Sequence, residues 1–239
     1  SYGMSHAESP HDFKESIALI HAPGLNIMYG DANDNIAWFA AAKLYKLRDS
    51  IDSKTILNGA SGLDEKIDYL DFSKNPQAIN PTSNYVYSAN NQPDSIDGRL
   101  YPGYYLPEDR AKRIVQLLEA KNDFTKEDVM AMINDVTSSV TPSIIENALE
   151  SVKADNFTDK EKKAIQTLQN WDGNYHLESV APTIYNRFLY EFLVNTFKDE
   201  MGGSFDQFIN TRLRKQIHAV QMAKDSSVWW DDINTKNKI

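Results

Sequence analysis

Leu25-Asn-Ile-Met-Tyr-Gly-Asp31, then Asp31-Ala-Asn-Asp-Asn35, then Asn35-Ile-Ala-Trp-Phe-Ala-Ala-Ala42 is the stretch on which the reading of the fold turns. Two apolar arms rich in β-formers flank a cluster of turn-forming residues, and that order predicts a β-hairpin. The alanines of the second arm would suit a helix in isolation. Its place directly after the turn cluster selects a strand instead. Working outward, His11 to His21 predicts a short helix. On the other side, residues 48–81 are punctuated by Gly59, Gly62, Pro76 and Pro81, show no lasting period, and predict irregular chain. Asn84-Tyr-Val-Tyr-Ser-Ala89 reads as a short strand. It ends at Asn90-Asn91-Gln92-Pro93, where proline has no N–H to give a ladder.

The texture changes after Pro107, and the remainder predicts helices. Glu108 to Ala120 places Ile114, Val115, Leu117 and Leu118 on one face. Thr125-Lys-Glu-Asp128 opens a second helix, because a threonine hydroxyl accepts from a first-turn N–H and acidic residues favour the positive helix end. Thr141-Pro142 opens a third, with proline where its missing N–H costs nothing. Thr158-Asp-Lys-Glu161 has the form of a capping box. Pro182 to Phe197 carries a stripe of Tyr185, Phe188, Leu189, Phe192, Leu193 and Phe197, read as a packing face, and Gly202-Gly203 stops it. Phe205 to Lys224 predicts one more helix. The expected class is therefore α+β, with a β-containing part over residues 1–105 and a helical part over residues 106–239.

Composition narrows the function. The 239 residues are 41% hydrophobic and 25% charged, values of a soluble globular protein. With 34 acidic against 25 basic residues the formal charge is −9, which argues against a nucleic-acid partner. The densest basic runs, Lys160-Glu-Lys-Lys163 and Arg212-Leu-Arg-Lys215, read as solvated helix faces. No apolar run approaches the ~20 residues of a membrane span, and no signal-peptide pattern is visible at Ser1-Tyr-Gly-Met-Ser-His6. Cysteine is absent, which excludes disulfides, zinc thiolates and a cysteine nucleophile. The five histidines show no metal-ligand spacing. There is no Gly-x-Ser-x-Gly elbow, phosphate-binding glycine loop or His-Glu-x-x-His. Residue chemistry alone stops there.

The order of segments goes further. Tyr29-Gly-Asp31 with Asp34-Asn-Ile-Ala-Trp38, Asn80-Pro81, Asn84-Tyr-Val-Tyr-Ser-Ala-Asn-Asn-Gln-Pro93, Asp109-Arg-Ala-Lys-Arg-Ile114, Asp128 with Asp135, Trp171-Asp-Gly173, and Trp229-Trp-Asp-Asp232 follow one another along nearly the whole chain. No one of these is specific. In this order they resemble the penicillin amidase family, which includes penicillin acylases, cephalosporin acylases and acyl-homoserine-lactone acylases. One departure is Asp34, where the family has glycine, and Asp tolerates left-handed backbone better than most residues.

The resemblance implies a fragment of an N-terminal-nucleophile hydrolase, with part of its αββα sheet region in the first hundred residues and a helical subdomain after it. In that family a serine freed at a new N-terminus attacks a linear amide and uses its own α-amino group as base. The resemblance makes Asn90 an oxyanion-hole donor and Arg110 its support. It implies no required cofactor, a structural calcium in the full-length parent for which Asp97 is the nearest ligand here, and a periplasmic or secreted location. The family's Ser-Asn-x-Trp nucleophile signature is missing. Ser1 is followed by Tyr2-Gly3-Met4, and Ser83-Asn84-Tyr85 lies inside the strand block. The expected partners are the remainder of a processed precursor and a small acylated amide, and the isolated chain is expected to be inactive. Its half-built sheet makes self-association plausible, which light scattering tests. Two other readings stay open: a non-catalytic helical interaction module, and a partner chain of a processed heterodimer.

Overall fold

The computed structural model describes residues 2–95, 100–101, 103–150, 152, 157–211, 220–222, 224, 226–231 and 233–234. It is α+β, and the chain divides into two compact units, Ser1–Ala111 and Lys112–Ile239.

In the first unit, helix α1 (Tyr2–Ser5) precedes α2 (Pro10–Ala18), which Ser9 caps by accepting from the Asp12 N–H. The expected hairpin is present. Strand β1 (Leu25–Gly30) pairs antiparallel with β2 (Ile36–Ala41), in a register that sets Leu25 opposite Ala41 and Gly30 opposite Ile36. Alternation along β2 buries Ala37, Phe39 and Ala41 against Ile17 of α2, which is fully enclosed. Asp31 builds the turn. Its two carboxylate oxygens accept from the backbone N–H of Asn33 and Asn35, the Tyr29 hydroxyl and the Asn35 amide. These bonds hold the Asp31 carboxyl down at about 2. Asp34 sits at φ 61, in the left-handed region that Asp tolerates better than most residues.

Residues 48–81 are more ordered than their sequence predicts. Short strands β3 (Tyr45–Lys46) and β4 (Asp68–Tyr69) pair with each other, a 3-10 turn follows at Phe72–Lys74, and β5 (Gln77–Ile79) pairs with β2. Strands of two and three residues are too short to display a period, so they form by docking rather than by local preference. Asn75, 1% exposed, ties this stretch to β2 by donating both amide hydrogens to the carbonyls of Ala40 and Ala42. Asn80, at φ 43, accepts from the Ile36 N–H and donates to Asn35 Oδ1, locking the end of β5 to the start of β2.

The expected strand at 84–89 is absent: the chain there belongs to no sheet. Asn84 and Asn90 stand at φ 59 and φ 60, so the backbone bends at both ends. Ala89 gives its N–H and C=O to side chains rather than to a neighbouring strand.

Helix α3 (Asp109–Glu119) leads into the second unit, whose helices start where the sequence places them. Helices α4 (Lys126–Ile133) and α6 (Asp159–Gln169) each open on a complete capping box, Thr125 with Asp128 and Thr158 with Glu161. Helix α5 (Thr141–Glu150) begins at Thr141-Pro142. The aromatic stripe lies on α7 (Ala181–Met201), which ends at Gly202 with φ 50. Tyr185 packs with Ile144, Ile145, Leu168 and Trp171, while Leu193 and Phe197 pack with Phe205 and Phe208. The helix expected over Phe205–Lys224 is interrupted. Helix α8 (Phe205–Ile209) stops at Asn210 and Thr211, where Thr211 turns both its N–H and its hydroxyl back to the Phe208 carbonyl. Residues 212–219 of that expected helix lie outside the described residues, and 220–222 are helical.

Two of the sequence blocks have structural explanations. Gly173, at φ 85, packs against the Ser138 carbonyl so closely that no Cβ fits. Trp229 lies edge-on to Phe197, with ring centroids 5.1 Å apart. No helix among the described residues is long and apolar enough to cross a membrane.

Candidate functional site

Asn90 and Arg110, twenty residues apart, meet in the first unit. Arg110 stands in the first turn of α3. One guanidinium nitrogen, Nη2, donates both to the Ala89 carbonyl at 2.7 Å and to Asn90 Oδ1 at 3.0 Å. An arginine can only donate, so the oxygen end of the Asn90 amide must face it. The Nδ2 end is thereby turned away from Arg110, with its hydrogens available to another acceptor. Both side chains reach solvent, while Ala89 between them is 1% exposed.

The backbone at Asn90 holds that orientation. A left-handed residue other than glycine costs about 1–2 kcal/mol, and Asn carries less of that penalty than most. Two interactions keep it there. The Asn90 carbonyl accepts from the Leu106 N–H at 2.8 Å, and the Asn91 Oδ1 accepts from the Ala89 N–H at 3.2 Å. Gln92 donates to the Tyr101 carbonyl at 3.2 Å, and the Tyr105 hydroxyl donates to the same carbonyl. These bonds bring the returning chain, residues 101 and 103–106, alongside 90–92. Partial burial raises both the Tyr101 and Tyr105 phenols, which stay neutral near pH 7.

Asp97, the expected calcium ligand, lies outside the described residues. Among the described residues no three His, Cys, Asp or Glu side chains converge to hold a metal ion, so those residues do not by themselves fit the calcium that the resemblance implies.

Some ties were not legible in the sequence. Asn75 and Asn80 anchor β5 across more than thirty residues. Arg113, one turn beyond Arg110, makes a bidentate pair with Asp135, which also accepts from the Thr137 N–H and hydroxyl. Arg113 and Asp135 both occur in the ordered blocks, but nothing in their spacing says that they pair.

Comparison with known proteins agrees with the order of blocks. The family model for penicillin amidase matches residues 1–239, and the chain belongs to the penicillin amidase family. An acyl-homoserine lactone acylase QuiP of Pseudomonas putida is 23% identical over 261 residues, which cover 99% of this chain and 31% of that protein. The protein of the same name from Pseudomonas fluorescens is 24% identical, with the same two coverages. The chain thus spans 31% of the length of these curated relatives. Among solved structures, a thermostable penicillin G acylase from Alcaligenes faecalis is similar in fold, with a TM-score of 0.62 at 20% identity. The match covers 89% of this chain and 38% of that one.

Proposed function

We propose that this chain supplies one oxyanion donor of an amidohydrolase that cleaves linear amides. The substrate class is penicillin-like or N-acyl-homoserine-lactone-like acyl compounds, and the names of the relatives support it. The observation that carries the reading is the Asn90 amide, held oxygen-first by Arg110 on a left-handed backbone. Its Nδ2 hydrogens are then free to meet negative charge as it develops on a carbonyl oxygen. A donor fixed before the reaction needs no reorganisation when that charge appears. Arg110 is the support: it orients the amide through Oδ1 and steadies Ala89 through its carbonyl.

The nucleophile is a serine at the N-terminus of a processed segment outside residues 1–239, since Ser-Asn-x-Trp does not occur within them. Its α-amino group takes the hydroxyl proton as oxygen attacks the amide carbon, and then passes a proton to the departing amine. Water hydrolyses the acyl-enzyme by the same route. This chemistry calls for no cofactor. The remainder of the larger protein is the partner, its location is periplasmic or secreted, and a structural calcium at Asp97 belongs to the assembled parent. Residues 1–239 by themselves have no amidase activity.

The test is Asn90→Ala in the protein expressed from its complete reading frame, assayed on phenylacetyl and long-chain acyl amides. Turnover should fall about 10²–10³-fold, roughly 3–4 kcal/mol, with processing and fold intact. Near-normal turnover removes Asn90 from the mechanism, and saturable turnover by residues 1–239 alone removes the external nucleophile.

A further inference from the structure

Ala89 is 1% exposed, so its two backbone polar groups need partners inside the protein. Neither goes to a strand. The carbonyl accepts from Arg110 Nη2 at 2.7 Å, and the N–H donates to Asn91 Oδ1 at 3.2 Å. Asn91 Nδ2 in turn donates to the Gln92 carbonyl at 3.2 Å, so its amide is held at both ends. The side chain of residue 91 therefore reaches back across residue 90 to the N–H of residue 89. The ring closed by that bond contains both backbone torsions of Asn90. Residue 90 stands at φ 60, in the small left-handed region, and the broad right-handed and extended regions compete with it. Arg110 fixes the side chain of Asn90, but through Oδ1 alone it cannot fix these torsions. The Leu106 N–H fixes only the carbonyl side.

We propose that Asn91 is a positioning residue: by accepting the Ala89 N–H it holds Asn90 in the left-handed geometry that aims the Asn90 amide at the reacting carbonyl of the substrate. The inference rests on the oxyanion reading of Asn90. Asn91 does not touch substrate in this role. Its working atom is Oδ1, and a side chain that keeps an oxygen there keeps the role.

The experiment compares Asn90→Ala, Asn91→Ala, Asn91→Leu and Asn91→Asp in the protein expressed from its complete reading frame, recording kcat and KM on one acyl amide together with the melting temperature. Asn91→Ala and Asn91→Leu lack the acceptor, so kcat should fall on the order of 10- to 100-fold with KM little changed, the response expected of a misplaced catalytic group. Asn91→Asp retains the acceptor and should recover to within several-fold of the wild-type kcat. A merely structural role would instead lower the melting temperature and the amount of folded enzyme, leaving kcat per folded molecule and KM unmoved. If Asn90→Ala is crippled while Asn91→Leu turns over normally, the Asn91 assignment is overturned and the oxyanion reading stands. If Asn90→Ala turns over normally, the oxyanion reading itself fails. Where Asn91→Ala gives no folded protein, Asn91→Asp decides: kcat as low as that of Asn90→Ala overturns the assignment.

Discussion

The two units are held together differently. In the helical unit most polar ties are local. Thr125 and Asp128, Thr158 and Glu161, and Asp172 with the Asn174 N–H all join residues two or three apart. In the β-containing unit the decisive ties are long. Asn75 reaches residues 40 and 42, Asn80 reaches residues 35 and 36, and Arg110 reaches residues 89 and 90. Helix ends carry a fixed set of orphan N–H groups a few residues from any capping side chain, so their solutions are local. A three-residue strand has no such neighbour, and at the left-handed Asn90 loop only the Ala89 N–H finds one, in Asn91; the other backbone groups are satisfied from wherever the fold brings a partner.

The sharpest challenge to that contrast is the Arg113–Asp135 pair, a long tie inside the helical unit. Both side chains are under one third exposed, and removing Arg113 strips the Asp135 carboxylate of two charge-assisted hydrogen bonds while leaving those from Thr137. Arg113→Ala should therefore destabilise the protein by about 3 kcal/mol in urea unfolding. A value near zero would show that this long tie contributes little to the helical unit. The pair also has a pH signature. Hydrogen bonds from Arg113 hold the Asp135 carboxyl below its ordinary value. The folded value lies under the unfolded one, so its stabilisation is complete above the ordinary carboxylate range and is lost as the pH falls through the folded value. Lowering the pH from about 7 to about 3 should cost the wild type more stability than it costs Asp135→Asn.

Asn75→Ala is next in size. It strips donors from two carbonyls, but Asn75 Oδ1 is itself buried without a partner among the described residues, and its loss offsets part of the cost. The expected destabilisation is about 2 kcal/mol, with β5 losing protection from hydrogen exchange. Unchanged protection over Gln77–Ile79 would show that pairing with β2 suffices without the amide.

The smallest effect belongs to a local cap. Thr158→Ala should cost about 1 kcal/mol, since the lost bond lies at an exposed helix start. A loss equal to that of Asn75→Ala would erase the contrast between the units.

These differences set what could be read from residues alone. The hairpin at 25–42 was legible because its alternation and its Asp31–Asn35 turn agree, and the structure adds that the Asp31 carboxylate accepts four bonds within the turn. Helix starts were legible at Thr125, Thr141 and Thr158. The stop at Asn210 was missed, because Asn-Thr is a weaker breaker than the Gly202-Gly203 pair. The strand assigned to 84–89 failed for a definite reason: its tyrosines and valine have β preference, but β preference does not supply a neighbouring strand. Asn90 and Arg110 were picked out by family order, not by chemistry, and the distance between them was invisible.

By itself, then, the chain's sequence determined where the helices after Pro107 start, its hairpin and its place in the penicillin amidase family, because capping, turn chemistry and alternation act over a few residues and leave a pattern. Tertiary structure alone decided that Ala89 is buried without a strand partner, that Asn90 is left-handed, and that Arg110 meets its Oδ1 at 3.0 Å. The burial of Ala89 and the Arg110 contact depend on groups some twenty residues apart, and although asparagine tolerates the left-handed region, only the bonds closed around Asn90 in the folded chain select it.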